Sequence, residues 1–599
     1  MCSENSPIDN EFPDLAHLTI SSFHQRLFST DPQAQAGRGS AQSLTCTALV
    51  QAYLNRIARY DSTFRSLIYI NPDALKIAAQ KDLEARSVYQ LRHRHTCPAS
   101  TSTSGTTQQS QDRDLASFSS KSSTAINPGA SRNPSDKRKC PYNSHIPPLH
   151  GVPFILKDNF TTHDTPTSAG VLALQSLRTT TDAPVIQRLR SAGAIILAKA
   201  NMHEFALHGT TTSSLGGQTL NPYDCTRTPG GSSGGTAAAL AMGIGIVGCG
   251  SDTVNSLRSP ASACGIVGFR PSRGRVCMEG IVPVCQAQDV VGPMGRCVAD
   301  VKAVFDVMKD VEVDADRGYQ SRSAAGVPQQ KRPVRIGVLE SYFELDDPVE
   351  DHTEELVQEN KLVQHIVREA LSSIVATHPE SDIQLVTIHP ASHPDWRFTT
   401  LQSTADTQIY EFQERLDAFL QSPTVIAPYI SLQAIAESGL YHAKAVTEVF
   451  TAPLKEPSEF RTATPGYRRR LASIAALKQS VTDLFVSNDL DALVYPHQRQ
   501  LPVRIGETIQ PRRNGILGAL TGRPAICLSA GYSSPTMSAP QGIPIGLELM
   551  GQVGRDEELL DLAETIENIL PPRKVADLDV NAARNDLGQH SAVVVPRPG

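Results

Sequence analysis

The chain is short of aromatic residues and of charge. Of its 599 residues, 5% are aromatic, one of them a tryptophan, and 19% are charged, against about a quarter charged in a typical soluble domain. Neither sign dominates: 55 Lys and Arg stand against 61 Asp and Glu, a formal net charge of −6. Without a basic excess, nucleic acid and acidic membrane surfaces are not expected as partners. No stretch approaches about eighteen consecutive apolar residues, so no membrane span is expected. Eleven cysteines without a Cys-x-x-Cys pair are too sparse for a disulfide scaffold and read as scattered reduced thiols. The opening MCSENSPIDNEFPDL is polar and acidic, with no charged-then-apolar leader, so a cytoplasmic protein is expected.

The 40% of apolar residues supply a large core, and their spacing organises it. Leu49, Val50, Tyr53, Leu54, Ile57 and Tyr60 fall on one helical face of residues 45–60. A second helix is predicted over 73–86. From 88 to 146 the chain turns to Ser, Thr, Gln and Arg, too polar to offset its ordering entropy, and reads as a disordered insertion. Residues 1–87 then form the N-terminal helical part of a domain resumed at 147–572, and 573–599 read as a loose tail. In the resumed part, VPFIL (152–156) and AIILAK (194–199) suit buried strands, and a proline-initiated helix starts at Pro184 between them. A helix is predicted through the small residues of 232–247. VRIGVLES (334–341), IQLVTIHP (383–390), DALVYP (491–496), AICLSAG (525–531) and IPIGLELMG (543–551) read as strands. Helices are predicted over 353–376, 467–487 and 556–569. This alternation predicts an α/β fold with a large mixed sheet covered by helices on both faces.

Several motifs fail on context. GIGIVG (243–248) has the G-x-G-x-x-G spacing but follows a helix-like alanine run, where a dinucleotide site needs a preceding strand. His203 and His208 in HEFALH are five apart, whereas two metal ligands on one helical face need four. No metal and no cofactor are expected. TPGGSSGGT (228–236) holds G-x-S-x-G twice, on Ser232 and on Ser233. The polar NPYDCTRTP before it is not the apolar strand a nucleophile elbow requires, yet a serine esterase of the α/β-hydrolase type stays an alternative.

Three segments remain. Lys157 ends the apolar GVPFILK, Ser232 lies in the glycine-rich turn, and Ser256 lies in a second small-residue turn, GCGSDTVNSLRSPAS. A lysine acts as a base only when neutral, which demands burial or nearby cations. Asp158 next door would oppose that if it faced the same way. Taken singly, each is an ordinary surface lysine or turn serine.

Taken together, the stretch TPGGSSGGTAAALAMGIGIVGCGSDTVNSLRSPASACGIVGFRPSRGRV resembles the signature of the amidase signature family. The 24-residue separation of Ser232 and Ser256 is similar to that between the family's two catalytic serines. HGVPFILKDN (150–159), AGAIILAKANMHEFA (192–206), VGPMGR (291–296), LTGRPAICLSAG (520–531) and GIPIGLELMG (542–551) follow in the family's order, over roughly 45–570. The resemblance implies an amidase signature fold, with a variable substrate-shaping region around 310–500. It also implies hydrolysis of a small-molecule amide through a Ser–cis-Ser–Lys triad. Ser256 would be the acylated nucleophile, Ser232 the proton relay on a cis peptide and Lys157 the base. Backbone N–H groups of Thr253, Val254, Asn255 and Ser256 would form the oxyanion hole, with Ser233 beside them at the substrate.

One departure is informative. The family usually has Gly-Gly before the nucleophile, and this chain has Val254-Asn255. A β-branched residue at positive φ would be an outlier, so either the loop uses ordinary backbone angles or the oxyanion hole is distorted. Distortion is the basis of another alternative, a degenerate or repurposed relative. A glutaminase subunit of a tRNA-dependent amidotransferase and a non-enzymatic protein docking through 88–146 complete the alternatives, and a homodimer is compatible with all of them. Asp252 and Arg258 are expected to brace the nucleophile turn, and Cys249 and Cys264 to be packed as small apolar residues.

Overall fold

The computed structural model describes residues 15–28, 44–94, 146–310, 332–345, 352–377 and 382–579. Most of the predicted insertion, 95–145, and residues 580–599 of the predicted tail lie outside them. Eleven strands form one sheet: β1 (Leu67–Ile70), β2 (Pro153–Lys157), β3 (Ile195–Ala200), β4 (Val247–Asp252), β5 (Val267–Arg270), β6 (Val290–Gly295), β7 (Val334–Leu339), β8 (Ile383–Ile388), β9 (Ala492–Pro496), β10 (Ala525–Tyr532) and β11 (Pro544–Met550). Their spatial order is β1-β3-β2-β4-β6-β5-β10-β11-β9-β7-β8. The sheet is mixed, as the sequence predicts. β2 runs parallel to β3 and β4, and β7 parallel to β8 and β9. β1 pairs antiparallel with β3, and the central pairings from β4 to β9 are antiparallel. Every residue of β2 and β4 is buried, which continuous apolar or small-residue runs permit and alternating ones do not.

The amphipathic N-terminal segment forms helix Cys46–Phe64. The Thr45 side chain accepts from Ala48 N, and the Asp82 carboxylate accepts from Cys46 N and Thr47 N, satisfying donors left open at a helix start. Leu49, Val50, Tyr53, Ile57 and Tyr60 are buried, while Leu54 is partly so. The next helix runs over Ala74–Arg94, eight residues past the predicted end and into the segment read as insertion. The helix predicted over 232–247 is shorter, Gly234–Ala241. Gly243 and Gly245 both take positive φ, which turns the chain out of the helix and into β4.

Residues 573–579 are packed, not loose. Ala576 and Leu578 are buried, Lys574 N donates to the Tyr532 hydroxyl at 2.9 Å, and Arg59 pairs with Asp579 at 3.0 Å. Helices Gln408–Leu420, Leu432–Ser438 and Glu448–Lys455 cover the 202–207 segment, with Phe205 in edge contact with Phe412 inside a separate apolar cluster. Among the described residues, no helix is long and apolar enough to cross a membrane.

Candidate active site

Lys157 closes β2, and β4 beside it ends at Asp252, immediately before the 253–257 turn that carries Ser256. Helix Gly234–Ala241 begins just after Ser232 and Ser233 and leads back into β4. Three chain segments therefore converge at the carboxyl ends of two parallel neighbouring strands, where α/β sheets form their ligand crevices.

Lys157 is fully buried. Its Nζ donates to Ser232 Oγ at 2.7 Å and to Ser251 Oγ at 2.7 Å, with Ser251 O at 3.3 Å. Burial pulls its pKa down to about 7, and Asp252 and Asp289 counter only part of that. Asp158 does not oppose it. The Asp158 carboxylate turns to the other side of the strand, where it meets Lys199 Nζ at 3.2 Å and accepts from the Ser168 hydroxyl and main chain.

Ser232 is fully buried and follows a cis Gly231–Ser232 peptide. The Ser233 N–H donates to the Ser256 carbonyl at 3.3 Å, which ties the two serine-bearing segments together. The Ser233 hydroxyl donates to Ser251 O at 3.2 Å and so is turned back into the strand. Ser256 is 6% exposed, and its hydroxyl has no hydrogen-bond partner among the described residues. Among the described residues, no histidine hydrogen-bonds either serine hydroxyl of the G-x-S-x-G pair, and no strand leads into it. The α/β-hydrolase alternative thus lacks both its base and its elbow.

The 253–256 main chain is the second component. Its four consecutive N–H groups donate to no acceptor among the described residues, whereas the next, Leu257 N, donates to Asp252 Oδ2 at 3.0 Å. Val254 and Asn255 are absent from the residues with positive φ, so the turn uses ordinary angles and needs no glycine there. Val254 packs against the apolar cluster beneath β9 to β11. Asn255 Oδ1 accepts from Gly515 N at 2.9 Å, and Thr253 Oγ1 donates to Asp289 Oδ1 at 2.6 Å.

Arg258 and Asp252 brace this turn from below, as expected. The Arg258 guanidinium donates to Asp252 Oδ1 at 3.1 Å, to Val254 O at 2.6 Å and to Gly515 O at 3.0 Å. It also pairs with Glu548, which His497 approaches at 2.6 Å. Cys249 and Cys264 are fully buried. His203 Nε2 lies 2.8 Å from Ala445 O, and His208 Nδ1 accepts from Gly209 N at 2.9 Å. Nothing in the sequence marks Ser251 or Asn159 as part of the site except adjacency to the two strand ends. Asn159 Nδ2 holds Ser251 Oγ at 2.9 Å.

The family description Amidase matches residues 119–560. A glutamyl-tRNA(Gln) amidotransferase subunit from Methanospirillum hungatei is 30% identical over 436 residues, 70% of this chain and 93% of that one. Its counterpart from Natranaerobius thermophilus is 29% identical over 71% of this chain and 82% of the relative. Among solved structures, the peptide amidase of Stenotrophomonas maltophilia superposes with a TM-score of 0.70 at 26% identity, covering 95% of this chain and all of that one. The corresponding glutamyl-tRNA(Gln) amidotransferase subunit from Thermotoga maritima shares the fold, with a TM-score of 0.58 at 18% identity, 94% of this chain and 98% of that one. A buried lysine on a serine beside a turn of open main-chain donors is thus found in a chain that belongs to the amidase signature family, whose members hydrolyse amides.

Proposed function

We propose that the protein hydrolyses a carboxylic amide through an acyl-enzyme on Ser256. The observation that carries this reading is the fully buried Lys157 amine held 2.7 Å from the Ser232 hydroxyl. Neutral Lys157 takes the Ser232 proton as Ser232 takes that of Ser256, and Ser256 Oγ bonds to the amide carbon. The carbonyl oxygen becomes an oxyanion, and the free N–H groups of residues 253–256 donate to it. Donors fixed before the reaction cost no reorganisation at the moment charge develops. The proton then returns from Lys157 through Ser232 to the amide nitrogen. The C–N bond breaks, and ammonia or an amine leaves with the ester on Ser256. Water attacks that ester along the same relay in reverse, releasing the acid and restoring Ser256. Ser251 and Asn159 hold the lysine amine in line with Ser232.

A fluorophosphonate probe followed by peptide mapping tests this directly. Label on Ser256, with Ser256→Ala losing both label and at least about 10⁴-fold in kcat, is the expected result. Label on Ser232 or Ser233, or a Ser256→Ala protein that still hydrolyses amides, sinks it. The relatives named as amidotransferase subunits favour a second reading, in which the released ammonia passes to a partner protein. Steady release of free ammonia in step with acid by the isolated chain decides for the stand-alone enzyme.

A further inference from the structure

The buried arginines around the site are answered by acceptors, with one exception. Arg258 has Asp252, Glu548 and two carbonyls, and Arg270 has Asp252 and Gln288 O at 2.7 Å. Arg513 is 8% exposed, and its guanidinium makes no hydrogen bond and no ion pair with any described residue. Its Nε is sealed from solvent without a partner. The main chain nonetheless fixes the residue. Gln498 and Arg513 form an antiparallel bridge, Arg499 N donates to Arg512 O at 2.9 Å, and Asn514 N donates to His497 O at 2.7 Å.

From that anchor the side chain packs one layer away from the main chain that precedes Ser232. A Cβ on Gly209 would stand 2.3 Å from Arg513 Nη1 and 2.8 Å from its Cζ, so the guanidinium packs on the Gly209 main chain. Gly209 in turn packs on Gly231, whose Cβ would stand 3.0 Å from the Gly209 carbonyl carbon. Gly231 directly precedes Ser232. Two residues beyond Arg513, the Gly515 N–H holds Asn255 of the open-donor turn.

The surroundings offer donors but no counter-charge. Asp252, the acid whose field reaches Arg513, is already claimed by Arg258 and Arg270. His203, His208 and His497 are all driven toward the neutral form, first by burial. Gln510 also borders Gly209. Its Oε1 accepts from Val503 N at 2.9 Å, which leaves its sealed Nε2 without an acceptor. Burial without compensation pulls the Arg513 pKa down to about 10, with Asp252 opposing and Arg258 adding to the fall. A buried cation without a partner is costly, and such costs are retained where a ligand repays them. Five N–H donors in a planar fork beside a free amide N–H match one ligand chemistry above others, the two oxygens of a carboxylate.

We propose that Arg513 is a substrate-binding residue that sets specificity, taking a carboxylate carried by the same molecule as the scissile amide. This rests on the Ser256 acyl-enzyme reading and names its substrate class: amides bearing a free acid. The open main-chain donors of 253–256, where the oxyanion forms, lie on a different segment from Arg513, so the two anionic groups have separate receptors.

The test uses the full-length enzyme and four primary amides, malonamic, succinamic, glutaramic and adipamic acids, each beside its methyl ester, with ammonia release as readout. At least one acid should exceed its ester by about tenfold or more in kcat/KM. Arg513→Met should lower that value about 100-fold, as expected for losing a charged hydrogen-bonded contact, while the esters stay within about threefold. Arg513→Lys should restore part of the preference, since charge remains and the fork does not. The Arg513→Met protein should melt no lower than wild type, because an uncompensated buried cation is gone; a structural arginine would give the opposite. Acids and esters cleaved alike, an equal fall on both, or an Arg513→Met protein that is less stable or unfolded would each overturn the proposal. Calorimetry on folded Ser256→Ala protein supplies a reading without turnover, in which no acid binding tighter than its ester also overturns it. Should Ser256→Ala still hydrolyse amides, the acyl-enzyme reading fails by itself, while the acid-over-ester preference continues to report on Arg513.

Discussion

In the proposed turnover Lys157 must be two things, a neutral base when Ser256 attacks and a proton donor when the amine departs. A pKa near the working pH serves both. Burial supplies it, drawing the amine down to about 7 against the pull of Asp252 and Asp289. The direction fixes the pH dependence. The neutral form grows as pH rises through 7, so kcat/KM should climb by tenfold per pH unit below about 7 and level off above it. A profile measured from pH 5.5 to 9 checks this, and a flat profile or one that falls across pH 7 would remove Lys157 as the base. Ser251→Ala takes away one of the two hydroxyls on Nζ and should lower kcat by about tenfold with little change in KM. That split separates positioning of the lysine from substrate binding. At this scale, the convergence of Lys157, Ser232 and Ser256 was legible because all three sit in signature stretches, and the roles proposed for them rest on that geometry. Ser251 and Arg513 were not. The role proposed for Ser251 rests on its place beside Lys157 on the neighbouring strand, and that proposed for Arg513 on the absence of an acceptor, which only the assembled fold defines.

Helix Gly234–Ala241 shows how closely an element must lie to hold the site. Its residues are buried all round, and at Gly235 a Cβ would stand 2.1 Å from Asn201 O and 2.6 Å from Ser66 O. Both obstacles are main chain, so neither can rotate away. Gly235→Ala should therefore displace the helix, cost about 3 kcal/mol or more and carry Ser232 out of line with Lys157. Gly439→Ala is the control. Nothing lies within 4 Å of its Cβ position, and only its φ of +67° resists the change, a cost of about 1 kcal/mol. Thermal melts of both variants with kcat beside them decide. Equal stability losses would mean that close packing is not what Gly235 supplies. The same packing explains where sequence reading of elements stops. Apolar runs such as VPFIL and IPIGLELMG mark their strands, and Pro184 marks its helix start, because local pattern and fold agree there. VVGPMG (290–295) is a central strand with glycine and proline inside it, and its pairing with β4 and β5 overrides its poor local propensity. The helix end at Ala241 likewise depends on two glycines whose positive φ a pattern of small residues does not announce.

Across the whole molecule, the 253–257 turn sits where the two halves of the sheet are tied by buried charge. Asp252 ends β4, Arg270 ends β5, Glu548 lies on β11, and Tyr495 on β9 donates to Glu548 at 2.9 Å. Arg258 spans between Asp252 and Glu548, all fully buried. Burial opposes ionisation of both carboxyls, yet Arg258 outweighs it, joined by Arg270 at Asp252 and by His497 at Glu548. Both carboxyls are thus held below the usual range. A folded pKa below the unfolded one adds stability above the unfolded pKa that is lost as pH falls through the folded one, so this tie persists through neutral pH and weakens only in acid. Breaking one member leaves a buried charge unanswered. Glu548→Leu should cost about 3–5 kcal/mol, and Arg258→Met a similar amount. The double variant Arg258→Met/Glu548→Leu should lose clearly less than the sum, because it removes both charges at once. Arg258 also holds the carbonyls of Val254 and Gly515. The double variant should therefore regain stability without regaining activity, remaining about 10²-fold below wild type in kcat as the open-donor turn loses its support. Urea midpoints and kcat on the four proteins separate the two effects. Additive stability losses would mean that the charges act independently, and full activity in the double variant would mean that the turn stands without Arg258.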